Sequence, residues 1–218
     1  MGGRQAKSVV KLLERAYWNA GYYLEFGTPL ELMVAAILSA QTRDEVVNAI
    51  TPGLFKRYRT ARDYADATPE ELLVYIGRVS FAGAKAKNVI NACRILVEKH
   101  SSKVPRKMEE LIELPGVGRK TANTILINAY GVVEGIPVDT WVIKLSGRIG
   151  FSKSSKPDEI EQDLMRIVDK EHWRNFSYVL KAHGKAVCQS RVPICSKCII
   201  GPESQTPLCP RNGVAEST

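Results

Sequence analysis

The stretch Leu114-Pro115-Gly116-Val117-Gly118-Arg119-Lys120-Thr121-Ala122-Asn123 follows a short helical run, Glu-Glu-Leu-Ile-Glu-Leu, and leads into a longer apolar one. It predicts a helix, a tight Gly-rich hairpin and a second helix. Glycines at 116 and 118 can take backbone angles closed to other residues, so that successive amides, Val117 among them, approach a phosphate at the positive end of the second helix. With Arg119 beside it, such a loop grips backbone and reads no base sequence; a plain turn between core helices is the alternative. Lys120 falls in the first turn of the second helix, where the macrodipole and Arg119 disfavour a protonated amine, and a neutral lysine is a nucleophile. Nineteen residues on, Asp139 occupies a predicted helix N-cap, from which its carboxylate can face Lys120 if the two helices pack together. A phosphate-binding lysine and a simple capping aspartate fit the same spacing.

A second constellation lies near the C-terminus. Four of the five cysteines, Cys188, Cys195, Cys198 and Cys209, form the run C-x6-C-x2-C-x10-C. Closely spaced thiolates of this kind suit a four-coordinate metal or an iron–sulfur cluster, and zinc accepts the same four ligands. Five cysteines are few for a disulfide scaffold. Cys93 stands apart on an apolar stripe and reads as a core residue.

The elements that must position these residues are helical. Val9, Leu12, Leu13, Ala16 and Tyr17 recur at i, i+3, i+4, i+7 and i+8, and Val89, Ala92, Cys93, Leu96 and Val97 repeat that stripe. Thr28-Pro29-Leu30-Glu31 and Thr68-Pro69-Glu70-Glu71 read as capping boxes with proline at the first helical position. Further helices are predicted over 43–58, 107–113, 117–130, 139–150, 157–169 and 172–187, about ten short helices in all. The only strand candidate, Gly135 to Val138, contains Pro137 and reads better as a loop. The expected class is all-α, with disorder confined to residues 1–5 and 210–218.

At 218 residues, 44% hydrophobic and 25% charged, the chain can bury a sizeable core, which excludes wholesale disorder. Its longest apolar run, Leu32 to Leu38, is too short to span a bilayer, and no apolar signal core opens the chain, so a soluble intracellular protein of the cytoplasm and nucleoid is expected. The formal charge is +8, and Gly83–Lys120 holds nine cations against four anions. A field concentrated in this way points to a polyanionic partner.

In this order, Leu38-Ser39-Ala40-Gln41-Thr42-Arg43-Asp44, the hairpin, Val138-Asp139-Thr140, His183-Gly184 and the C-terminal cysteines resemble the endonuclease III family of DNA glycosylases, within the helix-hairpin-helix superfamily. The match runs from about Leu30 to Cys209. It implies a six-helix barrel domain carrying the hairpin over 24–134, and a second helical domain of 1–23 and 135–218 that holds a 4Fe-4S cluster through Cys188, Cys195, Cys198 and Cys209. Duplex DNA containing damaged bases or abasic sites would bind a monomer across the cleft between them.

The resemblance also implies a chemistry: a bifunctional DNA glycosylase and abasic-site lyase of base excision repair, acting on oxidised pyrimidines and nicking on the 3′ side by β-elimination. Lys120 matches the family's nucleophile and Asp139 its catalytic carboxylate. Gln41 and Phe81 match the side chains that fill the hole left by a flipped nucleotide, and Gly116, Val117, Gly118, Arg119 and Arg191 match DNA contacts. Two other readings are a mismatch- or adenine-directed glycosylase of the same superfamily, which generally lacks a lysine at this position, and a non-catalytic helix-hairpin-helix DNA-binding module. The chain departs from the family in its x10 cysteine spacing, in Phe81 where leucine is common, in Arg191 as the single cation of its loop, and in Trp141 where histidine is common. Trp141, so close to Asp139, is expected to reshape the pocket.

Overall fold

A computed structural model describes residues 2–218. Among these there are eleven α-helices, two short 3₁₀ turns and no strand, and the chain divides into two compact units. One is Tyr23–Glu134; the other joins the residues up to Tyr22 to Gly135–Thr218.

The Tyr23–Glu134 unit contains α2 (Pro29–Ser39), α3 (Asp44–Arg57), α4 (Ala61–Ala65), α5 (Pro69–Ile76), α6 (Ala82–Lys99), α7 (Met108–Ile112) and α8 (Arg119–Tyr130). Its centre is α2, in which every residue from Leu32 to Leu38 is buried. A helix apolar on all sides has to be wrapped by others, so the run that was too short to span a membrane is the axis of this core. Thr28 and Thr68 form the two expected capping boxes, each contributing about 1 kcal/mol to its helix start. A third box, Thr60 with Asp63, opens α4. At five residues α4 is too short to carry a detectable helical period, so the periodicity of the sequence does not predict it. Cys93 is fully buried on α6, and burial pushes its thiol up to about 12, which fits a core residue.

The other unit is built from α1 (Gly3–Ala16), α9 (Thr140–Ile149), α10 (Pro157–Ile167) and α11 (Trp173–Ala186), with 3₁₀ turns at Lys170–His172 and Cys195–Lys197. Val9, Val10 and Leu13 of α1 pack with Val142 and Leu145 of α9, Leu164 of α10 and Leu180 of α11 in one cluster. Gly135–Val138 is an irregular loop, pinned by Ser177 Oγ, which donates to the Pro137 carbonyl at 2.5 Å. Neither end follows the expectation of disorder. α1 begins at Gly3, and the C-terminal tail is tied by Asn212 N–H to Arg148 O (3.1 Å) and by Thr218 N–H to Pro193 O (3.1 Å). These backbone bonds to the folded unit supply the order that local composition does not.

Candidate active site and metal centre

The hairpin turns between α7 and α8, but its two glycines do different things. Gly116 has φ +83°, and a Cβ there would stand 3.1 Å from both Ile37 Cγ2 and Asn88 Cβ, so the turn needs glycine for conformation and for room against α2 and α6. Gly118 has φ −88°, an angle open to any residue, with nothing within 4 Å of a Cβ position. The expectation of special backbone angles therefore holds for Gly116 only; Gly118 leaves open space in front of the helix. It is also the N-cap of α8 and supplies no side-chain cap, so no side chain of the N-cap residue competes for the first amides. Val117 is buried and anchors the turn, while Arg119 and Lys120 are exposed in the first turn of α8.

Two more candidate residues in this unit share an unusual backbone. Gln41, just after α2, has φ +52°, and Phe81, the N-cap of α6, has φ +57°. Both are exposed, Phe81 by 67%, so Phe81 is not a core residue at a helix end. Of the nine cations counted between Gly83 and Lys120, Lys85 is buried to 5% exposure and bonded to protein oxygens. It adds nothing to a surface contact with phosphate, a distinction that charge counting has no means to make.

In the other unit, Asp139 is the N-cap of α9, and its Oδ1 accepts from the Trp141 and Val142 amides, each at 2.9 Å. Among the described residues Oδ2 has no hydrogen-bond partner. One oxygen thus fixes the carboxylate while the other takes no part in the cap. Trp141 is turned onto α11, its six-membered ring against Gly184, and packs on the unit's core. The indole fills the space that Gly184 leaves open.

The four C-terminal cysteines line one hollow with His183, Arg148 and Gly201. None is disulfide-bonded. The long x10 segment folds back on itself: the Leu208 and Cys209 amides both donate to Ile200 O, at 3.1 and 2.8 Å. Gly201 makes this turn possible, since a Cβ there would lie 2.7 Å from Cys195 O. Burial raises the thiols of Cys188, Cys198 and Cys209, that of Cys198 to about 11. A metal that displaces those protons suits such a donor set better than water does.

Sequence reasoning missed the residues that organise this hollow. Arg148 on α9 donates to the carbonyls of Cys188 (3.3 Å), Gln189 (2.7 Å) and Ser190 (3.0 Å), and its Nη1 lies 3.6 Å from Cys188 Sγ. It thereby shapes the loop that presents the exposed Arg191. His183 is buried, with Nε2 at 3.7 Å from Cys198 Sγ and Nδ1 at 3.0 Å from the Tyr17 hydroxyl. Arginine and histidine in a helix carry no spacing signal that would mark them for these tasks.

An all-helical chain whose Gly-rich hairpin opens a helix with lysine in its first turn falls in a recognisable class. Residues 34–170 match the model of the HhH-GPD superfamily of base excision DNA repair proteins. The chain is 44% identical over 195 residues to endonuclease III of Synechocystis sp., covering 89% of each protein, and 39% identical over 176 residues to that of Bacillus subtilis, covering 80% of each. It superposes on a trapped covalent endonuclease III–DNA intermediate with TM-score 0.89 and on a non-covalent endonuclease III–DNA complex with TM-score 0.90, at 35% identity and 97% coverage of this chain in both. The chain belongs to the endonuclease III family and is a DNA glycosylase and abasic-site lyase of base excision repair.

Proposed function

We propose that the protein excises oxidised pyrimidines from duplex DNA and nicks the strand 3′ to the resulting abasic site by β-elimination. The observation that carries this reading is Lys120, exposed in the first turn of α8 directly behind the uncapped glycine of the hairpin. The base must leave the stack before its glycosidic carbon can be reached. The Lys120 amine then attacks C1′, the bond from C1′ to the base breaks, and the base departs with its electron pair and a proton. The sugar opens as a Schiff base on Nζ; loss of a proton from C2′ expels the 3′ phosphate, and water releases the lysine. Asp139 Oδ2 accepts the lysine proton and stabilises cationic character on the sugar.

Gln41 and Phe81 fill the space vacated by the nucleotide, one polar toward the orphan base and one an apolar wedge. The amides of Gly116 and Gly118, with Arg119 and Arg191, hold phosphates; the Val117 amide, expected to do the same, instead donates to Leu114 O at 3.0 Å and closes the turn. Cys188, Cys195, Cys198 and Cys209, which line one hollow, hold a 4Fe-4S cluster, which organises the C-terminal loops. The protein acts as a monomer inside the cell, at the nucleoid, and no described helix is long and apolar enough to cross a membrane.

The test is a panel of duplexes carrying thymine glycol, dihydrouracil, uracil or a T·G pair, read for both base release and strand scission. Release from the first two with accompanying scission is expected. Release of thymine from T·G alone, without scission, assigns the chain to the mismatch-directed branch.

A further inference from the structure

Lys85 is the one lysine of α6 withdrawn from solvent, and its ammonium has a complete set of partners. Nζ donates to Leu38 O at 2.6 Å, to Ala40 O at 2.6 Å and to Thr42 Oγ1 at 2.9 Å. An ammonium has three N–H donors, so all are engaged. Two of the acceptors are carbonyls at the C-terminal end of α2, where a cation also opposes the negative end of the helix dipole.

These contacts surround the two residues with left-handed backbones. Gln41 lies between Ala40 and Thr42, both of which Lys85 holds. Thr42 Oγ1 accepts in addition from the Ser80 amide at 3.1 Å, and Ser80 immediately precedes Phe81. The Lys85 amide donates to Phe81 O at 3.1 Å. A non-glycine residue at positive φ costs of order 1 kcal/mol and persists only where its surroundings impose it. Gln41 at +52° and Phe81 at +57° are two such residues; the Lys85 ammonium holds the chain on both sides of the first and reaches the residue before the second through Thr42 Oγ1, while the bond from the Lys85 amide to Phe81 O is the ordinary first turn of α6.

We infer that Lys85, acting through Thr42, is a positioning residue that locks the Gln41 and Phe81 loops together in the conformation that inserts into DNA. The inference rests on the proposed wedge role of those two side chains. It assigns Lys85 no contact with DNA and no part in the chemistry: with its three donors removed, the loops relax toward ordinary backbone angles, and the opening of the duplex suffers while the reaction at an already accessible sugar does not.

Two substitutions test this in the cluster-containing protein. Lys85→Met keeps the aliphatic stem and removes the donors, and Thr42→Val removes the hydroxyl that joins the loops while keeping the shape. Single-turnover excision of thymine glycol from duplex DNA should fall roughly ten-fold or more in each, the scale of a lost charge-assisted hydrogen bond. The fluorescence rise of 2-aminopurine placed opposite the lesion should shrink in parallel. Borohydride trapping on single-stranded DNA carrying an abasic site, where there is no partner strand to hold apart, should stay at the wild-type rate.

Wild-type excision from duplex by both variants overturns the inference, and so does an equal loss on duplex and single strand. If Lys85→Met does not accumulate as folded protein, Thr42→Val decides the matter alone. Wild-type protein that traps on neither substrate overturns the lyase reading itself, a result distinct from any difference between variant and wild type.

Discussion

The six-membered ring of Trp141 packs on the backbone of Gly184, so closely that a Cβ at position 184 would stand 2.6 Å from indole Cζ3. Two motifs far apart in the chain are thereby one packing unit: α9, which Asp139 caps, is seated on α11, whose His183 reaches Cys198. Gly184→Ala should therefore destabilise this unit by about 1–3 kcal/mol, the usual cost of overpacking. Thermal melting of the purified protein checks this, and adding Trp141→His to Gly184→Ala should restore most of the loss.

Lys120→Gln and Asp139→Asn should fail differently. The first removes the amine, so no borohydride adduct forms and base release and nicking collapse together, while lesion DNA is still bound. The second keeps Oδ1 for the Trp141 and Val142 amides, so α9 stays capped, yet catalysis drops roughly 10²–10⁴-fold with loss of the general base. A covalent adduct formed by Lys120→Gln would place the nucleophile elsewhere.

Substitution of the two hairpin glycines should separate folding from binding. Gly116→Val forces a β-branched residue to positive φ against Ile37 and Asn88, and should lower the melting temperature as well as DNA affinity. Gly118→Val meets no neighbour and has an ordinary φ, so the fold should be unchanged while affinity falls for all sequences alike. Titration of abasic-analogue duplexes against salt should show steeply weakening binding for the wild type.

Protein purified without oxygen should be yellow-brown from thiolate-to-iron charge transfer. Iron and sulfide analysis checks the cluster, and colourless protein with one zinc would replace it. Cys198→Ser should lower stability far more than Cys93→Ser, because the first removes a proposed cluster ligand and the second only places a small hydroxyl in a packed core.

The local signals in the chain sufficed for all of its α-helices except the five-residue α4. Capping boxes at Thr28 and Thr68, the stripes of α1 and α6, the glycine hairpin before Lys120 and the cysteine run are all short-range patterns, in which residue type and spacing dictate geometry within a turn or two. Tertiary structure decided what each polar residue is for. Lys85 and Lys87 look alike in sequence, yet one is buried against the end of α2 and the other faces solvent. Arg148, 40 residues before Cys188, fixes the first cysteine loop. Trp141 became a packing residue because Gly184, 43 positions away, left room for it. The physical reason is the same in each case: burial and hydrogen-bond satisfaction depend on contacts between distant segments, which no local window of residues contains.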